Sequence, residues 1–242
     1  MSSSTVKSVI YELQKLKNST RANELQRFFQ TGPGMYGEGD LFLGLTVPQV
    51  RGVAKGYQKL SLQEIDELLG SEYHEVRFCG LVILTEQYKK TKDLATKKKF
   101  YDFYVKAIKT GAVNNWDLID VPGSVIGEYL VNTEQPLDAL VKFSKSRNLW
   151  IRRASVIFTF PFIRKGSVLP TLIISELLIK DSHDLIHKAT GWALREAGKR
   201  DISALRSFLN ENSEIMPRTM LRYAIEKLPE AERKKWLAKK AL

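Results

Sequence analysis

The stretch Ile186-His-Lys-Ala-Thr-Gly-Trp-Ala-Leu-Arg-Glu-Ala197 carries apolar residues at 186, 189, 193 and 197. Steps of three and four residues mark a helix with one buried stripe. The same spacing recurs at Leu118, Val121, Val125 and Tyr129, and at Ile151, Ala154, Phe158 and Phe162. It begins again at Val76, Cys79 and Ile83, and at Leu221, Ala224 and Leu228. The five starts are separated by 42, 33, 35 and 35 residues, near the length of one helical-pair repeat. The period predicts a curved stack of helix pairs. Each inner helix buries its stripe against its neighbours and turns its other face toward a concave groove.

Almost every other segment also reads as helix, with roughly fourteen short helices expected from periodicity and start signals. Thr46-Val-Pro-Gln49 and Ser61-Leu-Gln-Glu64 are capping boxes, the first with Pro48 in its opening turn. Thr31-Gly-Pro-Gly-Met-Tyr-Gly-Glu-Gly-Asp40 is rich in glycine but lacks the Gly-Lys-Ser/Thr ending of a phosphate loop, and reads as a flexible connector. The chain has 242 residues, 43% of them hydrophobic, enough for a substantial core. Its one cysteine, Cys79, excludes a disulfide framework and a cysteine-cluster metal site; on a core stripe it reads as a buried thiol. No apolar run reaches the length of a membrane span. The N-terminus lacks the basic start and apolar block of a secretory signal. A cytoplasmic protein is expected, with no membrane partner.

The net charge is +11, from 38 Lys+Arg against 27 Asp+Glu, and it is patterned. Residues 89–109 hold eight lysines against Asp93 and Asp102; residues 142–165 hold seven basic residues and no acid. Residues 61–75 are acidic instead, through Glu64, Asp66, Glu67, Glu72 and Glu75. Patterned positive charge points to a polyanion, nucleic acid first; a solvated lysine-rich surface is the plainer alternative.

A helix turns about 100° per residue. Counting from the first residue of each stripe, Asp120, Arg153 and Lys188 all lie at about 200°, Trp116 at about 160° and Trp192 at about 240°. Two tryptophans, two cations and a carboxylate from three repeats therefore turn away from the stripes. Either a second helix layer covers the tryptophans, or they form a surface that stacks on bases or sugars while the cations bind phosphate. A carboxylate repels phosphate, so Asp120 has either an ion pair with Arg153 or a part in chemistry.

Trp116-Asp-Leu-Ile-Asp120, Asn148-Leu-Trp-Ile-Arg-Arg-Ala154 and Lys188-Ala-Thr-Gly-Trp-Ala-Leu-Arg-Glu196 together resemble the AlkD family of HEAT-like-repeat DNA glycosylases. Phe42-Leu-Gly-Leu-Thr-Val-Pro-Gln-Val-Arg51 is similar to that family's segment after the first helices. The resemblance runs from about residue 25 to about 230. It implies an all-α superhelical solenoid of HEAT-like antiparallel helix pairs, expected as one DNA-binding domain over residues 1–242 and as a monomer. It also implies excision of cationic alkylpurines such as 3-methyladenine and 7-methylguanine from duplex DNA, with no metal or organic cofactor and without swinging the base into a pocket. Asp120 would then be the catalytic carboxylate, Trp116 and Trp192 would flank the lesion's deoxyribose, and Arg153 would contact the backbone. Where family members place a tyrosine by the lesion, the closest match here is Phe28, which has no hydroxyl.

The i, i+4 spacing of Trp116 and Asp120 puts both on one helix face. A carboxylate there stabilises an oxocarbenium-like sugar and orients water. Arg152, Lys188, Arg195 and His187 complete the expected DNA contacts, with a solvated surface charge as the alternative for Arg152. His183-Asp-Leu-Ile-His187 superficially resembles a zinc-protease helix, but no third ligand is evident and no metal is expected. Trp150 reads as packing. A DNA-binding relative without activity and a protein-interaction scaffold are the alternatives to the glycosylase.

Overall fold

The computed structural model describes residues 4–238. Among them it contains sixteen α-helices and, as extended pairing, one isolated bridge between Leu41 and Tyr73. The chain is all-α, as its periodicity predicts. None of the helices is long and apolar enough to cross a membrane. The chain divides into two compact units, Met1–Ile126 and Gly127–Leu242.

The first unit holds α1 (Ser4–Lys15), α2 (Ser19–Phe28), α3 (Val47–Gly56), α4 (Leu62–Leu69), α5 (His74–Lys90), α6 (Leu94–Lys109) and α7 (Trp116–Ile126). Helix α5 is its axis, packed on by α1, α3, α4, α6 and α7. The expected stripe of Val76, Cys79 and Ile83 is buried, but so is every residue from His74 to Thr85. A helix covered all round must find partners for its polar side chains. Glu75 does so by accepting the backbone N–H groups of Leu43, Gly44 and Leu45 at 2.9, 2.8 and 3.1 Å, which fixes the approach to α3. Both capping boxes form, Thr46 with Gln49 and Ser61 with Glu64.

The glycine-rich segment 31–40 is tied down rather than a free connector. Gly37 N–H donates to the Gln30 carbonyl, Gly34 N–H donates to the Glu38 carboxylate, and Asp40 at its end is buried. In α7 the buried face is Leu118, Ile119, Pro122, Gly123 and Ile126. The expected stripe holds only at Leu118: Val121, Val125 and Tyr129 are half-buried, and α7 ends before Tyr129. Reading by bulky apolar side chains passed over Pro122 and Gly123, which are buried on that face.

The second unit holds α8 (Glu128–Val131), α9 (Pro136–Ser144), α10 (Leu149–Ile157), α11 (Phe160–Arg164), α12 (Leu169–Leu177), α13 (Asp184–Arg200), α14 (Ile202–Asn212), α15 (Arg218–Ile225) and α16 (Glu230–Ala238). Helix α13 is its axis, contacted by α10, α11, α12, α14 and α15. Ile186, Ala189, Ala193 and Ala197 are all buried, as are Leu221, Ala224 and Leu228. The stripe from Ile151 to Phe162 is buried too, but it spans two helices, because Pro161 in the first turn of α11 cannot continue α10. Where α13 meets α15 there is no room for a side chain at Gly191. A Cβ there would lie 2.4 Å from the Met220 carbonyl oxygen and 2.5 Å from the Tyr223 Cβ.

Candidate functional site

In the first unit the site is built on the opening turn of α7. The first N–H groups of a helix lack intrahelical acceptors, and short polar side chains supply them here. Asn115 accepts from Trp116 N–H at 2.9 Å, and Asp117 accepts from Leu118 N–H at 2.9 Å. The second oxygen of Asp117 lies 2.8 Å from Nε2 of His74, the first residue of α5. On the other side of that ring, Nδ1 lies 3.2 Å from Asp40. Asp40 also accepts from the Arg77 guanidinium at 2.7 Å and from the Asn114 amide at 2.9 Å.

A carboxylate at each ring nitrogen makes both nitrogens donors, so His74 is held as the imidazolium. Burial alone would lower its pKa; the charge and hydrogen bond of Asp117, then Asp40, override that and push it up to about 9. For Asp40, burial alone would raise the pKa; the His74 hydrogen bond and the Arg77 charge bring it down to about 2.

Against this ionic base sits a cluster of rings. His74, Phe42 and Phe29 touch one another pairwise, with centroids 4.7 Å (His74–Phe42), 5.0 Å (Phe42–Phe29) and 4.9 Å (Phe29–His74) apart, and Trp116 stacks on Phe29 at 5.3 Å and only 12° from parallel. Phe28 stands edge-on to Trp116 at 6.0 Å and is 63% exposed. Two of the residues singled out from sequence, Trp116 and Phe28, are thus brought together. Asp120 follows Trp116 by one turn and is half-buried, like Trp116 itself. It is felt by Tyr104 of α6, whose phenol pKa is raised first by burial and then by the charges of Asp120 and Asp117.

In the second unit, Trp192 of α13 is half-buried, its ring 4.6 Å from that of Phe160. Arg153 differs from expectation. It is only 4% exposed, and its guanidinium donates to the Leu185 carbonyl. The register correctly turned it off the stripe of α10, but α13 packs on that face. Arg152 is also tied inward, to Asp181 at 2.6 Å and to the Ser146 and Arg147 carbonyls at 3.0 Å. His187 donates to the Asp181 carbonyl, while His183 caps α13 by accepting Leu185 N–H at 3.1 Å. The two histidines thus serve the turn before α13. Lys188 is 42% exposed and pairs with Asp184 at 2.7 Å; Arg195 pairs with Glu196 and Glu226. Trp150 is core, and Cys79 is buried with its thiol pushed up to about 12 by burial.

Sequence reading missed His74, Asp40, Arg77, Asp117 and Tyr104. One signal was present: His74, Glu75 and Arg77 interrupt an apolar run that continues through Leu84, and charged residues in such a run need buried partners.

A family model described as "DNA alkylation repair enzyme" matches residues 9–228. Among solved structures, one titled a predicted DNA alkylation repair enzyme from Enterococcus faecalis is similar, with a TM-score of 0.70 over 88% of this chain and 97% of that chain. Its identity to this chain is 16%, so the likeness is one of fold, a helical solenoid. No curated protein matches.

Proposed function

The chain belongs to the DNA alkylation repair enzyme family, and from that premise we propose that it is a DNA glycosylase. It hydrolyses the N-glycosidic bond of cationic alkylpurines, 3-methyladenine and 7-methylguanine, in duplex DNA, without moving the base into a pocket. The observation that carries this reading is Trp116 and Asp120 one turn apart on α7, both half-buried, with the exposed ring of Phe28 edge-on to Trp116.

Alkylation at N3 or N7 makes the purine a cation and a good leaving group. As the C1′–N bond breaks, its electron pair neutralises the purine and the sugar becomes oxocarbenium-like. Asp120 stabilises that charge and orients the water whose oxygen bonds to C1′; the water's proton leaves to the carboxylate or solvent. The Trp116 face offers a negative quadrupole to the electron-poor sugar, and Trp192 offers a second aromatic face to the DNA. Lys188 exchanges its solvent-screened Asp184 partner for phosphate, Arg195 adds positive charge from a more buried pairing with Glu196, and the lysines of 89–109 add sequence-independent affinity. Arg152, Arg153 and His187 brace the turn before α13.

Base release from methylated duplex DNA, read by chromatography of the free purines, tests this. Asp120→Asn is expected to slow release by about 100-fold or more with DNA binding retained; release at the native rate would overturn the assignment. Tight binding without release by the wild type would leave a DNA-structure-binding relative, and neither would leave a protein scaffold.

A further inference from the structure

Helix α7 runs from Trp116 to Ile126 with Pro122 inside it. Proline brings no N–H, and the one missing is that which would reach the carbonyl of residue 118, four positions back; the pyrrolidine ring also crowds that oxygen. Leu118 is fully buried, so water does not replace the donor. A buried carbonyl with no partner is costly.

The donor comes from the neighbouring helix. Tyr104 of α6, fully buried, gives its phenol to the Leu118 carbonyl at 2.9 Å, with the Ile119 carbonyl at 3.1 Å. These are the two peptide groups directly before Asp120. The phenol's raised pKa keeps it a donor throughout the neutral and mildly alkaline range. On the preceding turn, His74 grips Asp117. The segment 117–119 is thus held by one side chain and two carbonyls, and Asp120 follows at once.

We propose that Tyr104 is a positioning residue for Asp120, acting through the Leu118 carbonyl that Pro122 leaves without a helical donor. Its effect on turnover rests on the glycosylase reading; its effect on α7 does not. If the proposal holds, the importance of Tyr104 depends on residue 122. An alanine at that position supplies the N–H, and the phenol becomes dispensable.

The experiment compares wild type, Tyr104→Phe, Pro122→Ala and the double variant. Three quantities are read: single-turnover base release from methylated duplex DNA, affinity for that DNA, and hydrogen exchange of the α7 amides. Tyr104→Phe is expected to slow release about tenfold, leave affinity within about twofold, and speed exchange in α7. In the Pro122→Ala background the same substitution is expected to change release and exchange by less than about twofold. Equal losses in both backgrounds, or no loss in the first, would overturn the proposal. If the wild type releases no base, the glycosylase reading fails alone, and the background dependence of exchange still decides the role of Tyr104. If Tyr104→Phe does not fold but the double variant does, the proposal stands; if neither folds, Tyr104 does not act through that carbonyl.

Discussion

Helices α7 and α13 each carry a tryptophan that the sequence turned off the core stripe, yet the carboxylates on their first turns, Asp117 and Asp184, pair in opposite settings. At α7 the charges are buried in one another. The side chains of His74, Asp40 and Arg77 are 3%, 3% and 6% exposed, and each meets a charged partner. At the start of α13, Asp184 and Lys188 pair at i, i+4 with about half of each side chain in water. Burial strengthens an ion pair but makes losing one partner expensive, whereas an exposed pair is screened and easily exchanged. The first is a fixed mount; the second is a solvent-screened pair whose charges separate at little cost.

Three measurements test that contrast. The largest effect is expected from Asp40→Ala, which removes the carboxylate partner of Arg77 and the acceptor at one nitrogen of His74. Breaking a buried pair from one side costs about 3–5 kcal/mol, read by denaturant unfolding. A loss below about 1 kcal/mol, in the range of exposed pairs, would place the α7 network in the same class as the α13 pair.

The second is a pH dependence. The His74 pKa rises from 6.5 to about 9 on folding, facing Asp117, Asp40 and Arg77. Its contribution is therefore complete below pH 6.5 and disappears as pH rises through about 9. Asp40 behaves oppositely: with a pKa lowered from 3.8 to about 2, its share is present above 3.8 and lost as pH falls through about 2. The unfolding midpoint should decline across the alkaline window, and His74→Gln should flatten that decline. An unchanged slope in the variant would remove His74 from the account. The smallest effect is expected from Lys188→Ala, below about 0.5 kcal/mol in stability, with a visible weakening of DNA binding at low salt. A loss of several kcal/mol would show that the pair at α13 is a mount as well.

The helical architecture was legible because most of its signals are local. The spacing of Ile186, Ala189, Ala193 and Ala197 and the boxes at Thr46 and Ser61 are fixed by one helix each. Trp116, Phe28 and Asp120 were also within reach, since helical geometry and a family resemblance place them together. Arg153 was misjudged because register tells only which way a side chain leaves its own helix, not which other helix waits there. The ionic network was invisible for a related reason. Asp40 and Asp117 stand 34 and 43 residues from His74 along the chain, and no periodicity links them. Tyr104 opposite Pro122 is the same kind of fact: a proline announces a missing donor, but not who replaces it.

The tight contact at Gly191 bears on how a mutational scan of this protein would read. Position 191 would reject nearly every substitution because α15 stands too close, and its neighbour Trp192 would be intolerant for an entirely different reason if it meets DNA as proposed. A map of sensitivity alone would merge the two into one hot stripe. Scoring abundance and DNA processing separately would part them: variants at 191 would vanish from the soluble pool, and variants at 192 would survive there and fail only in the repair assay.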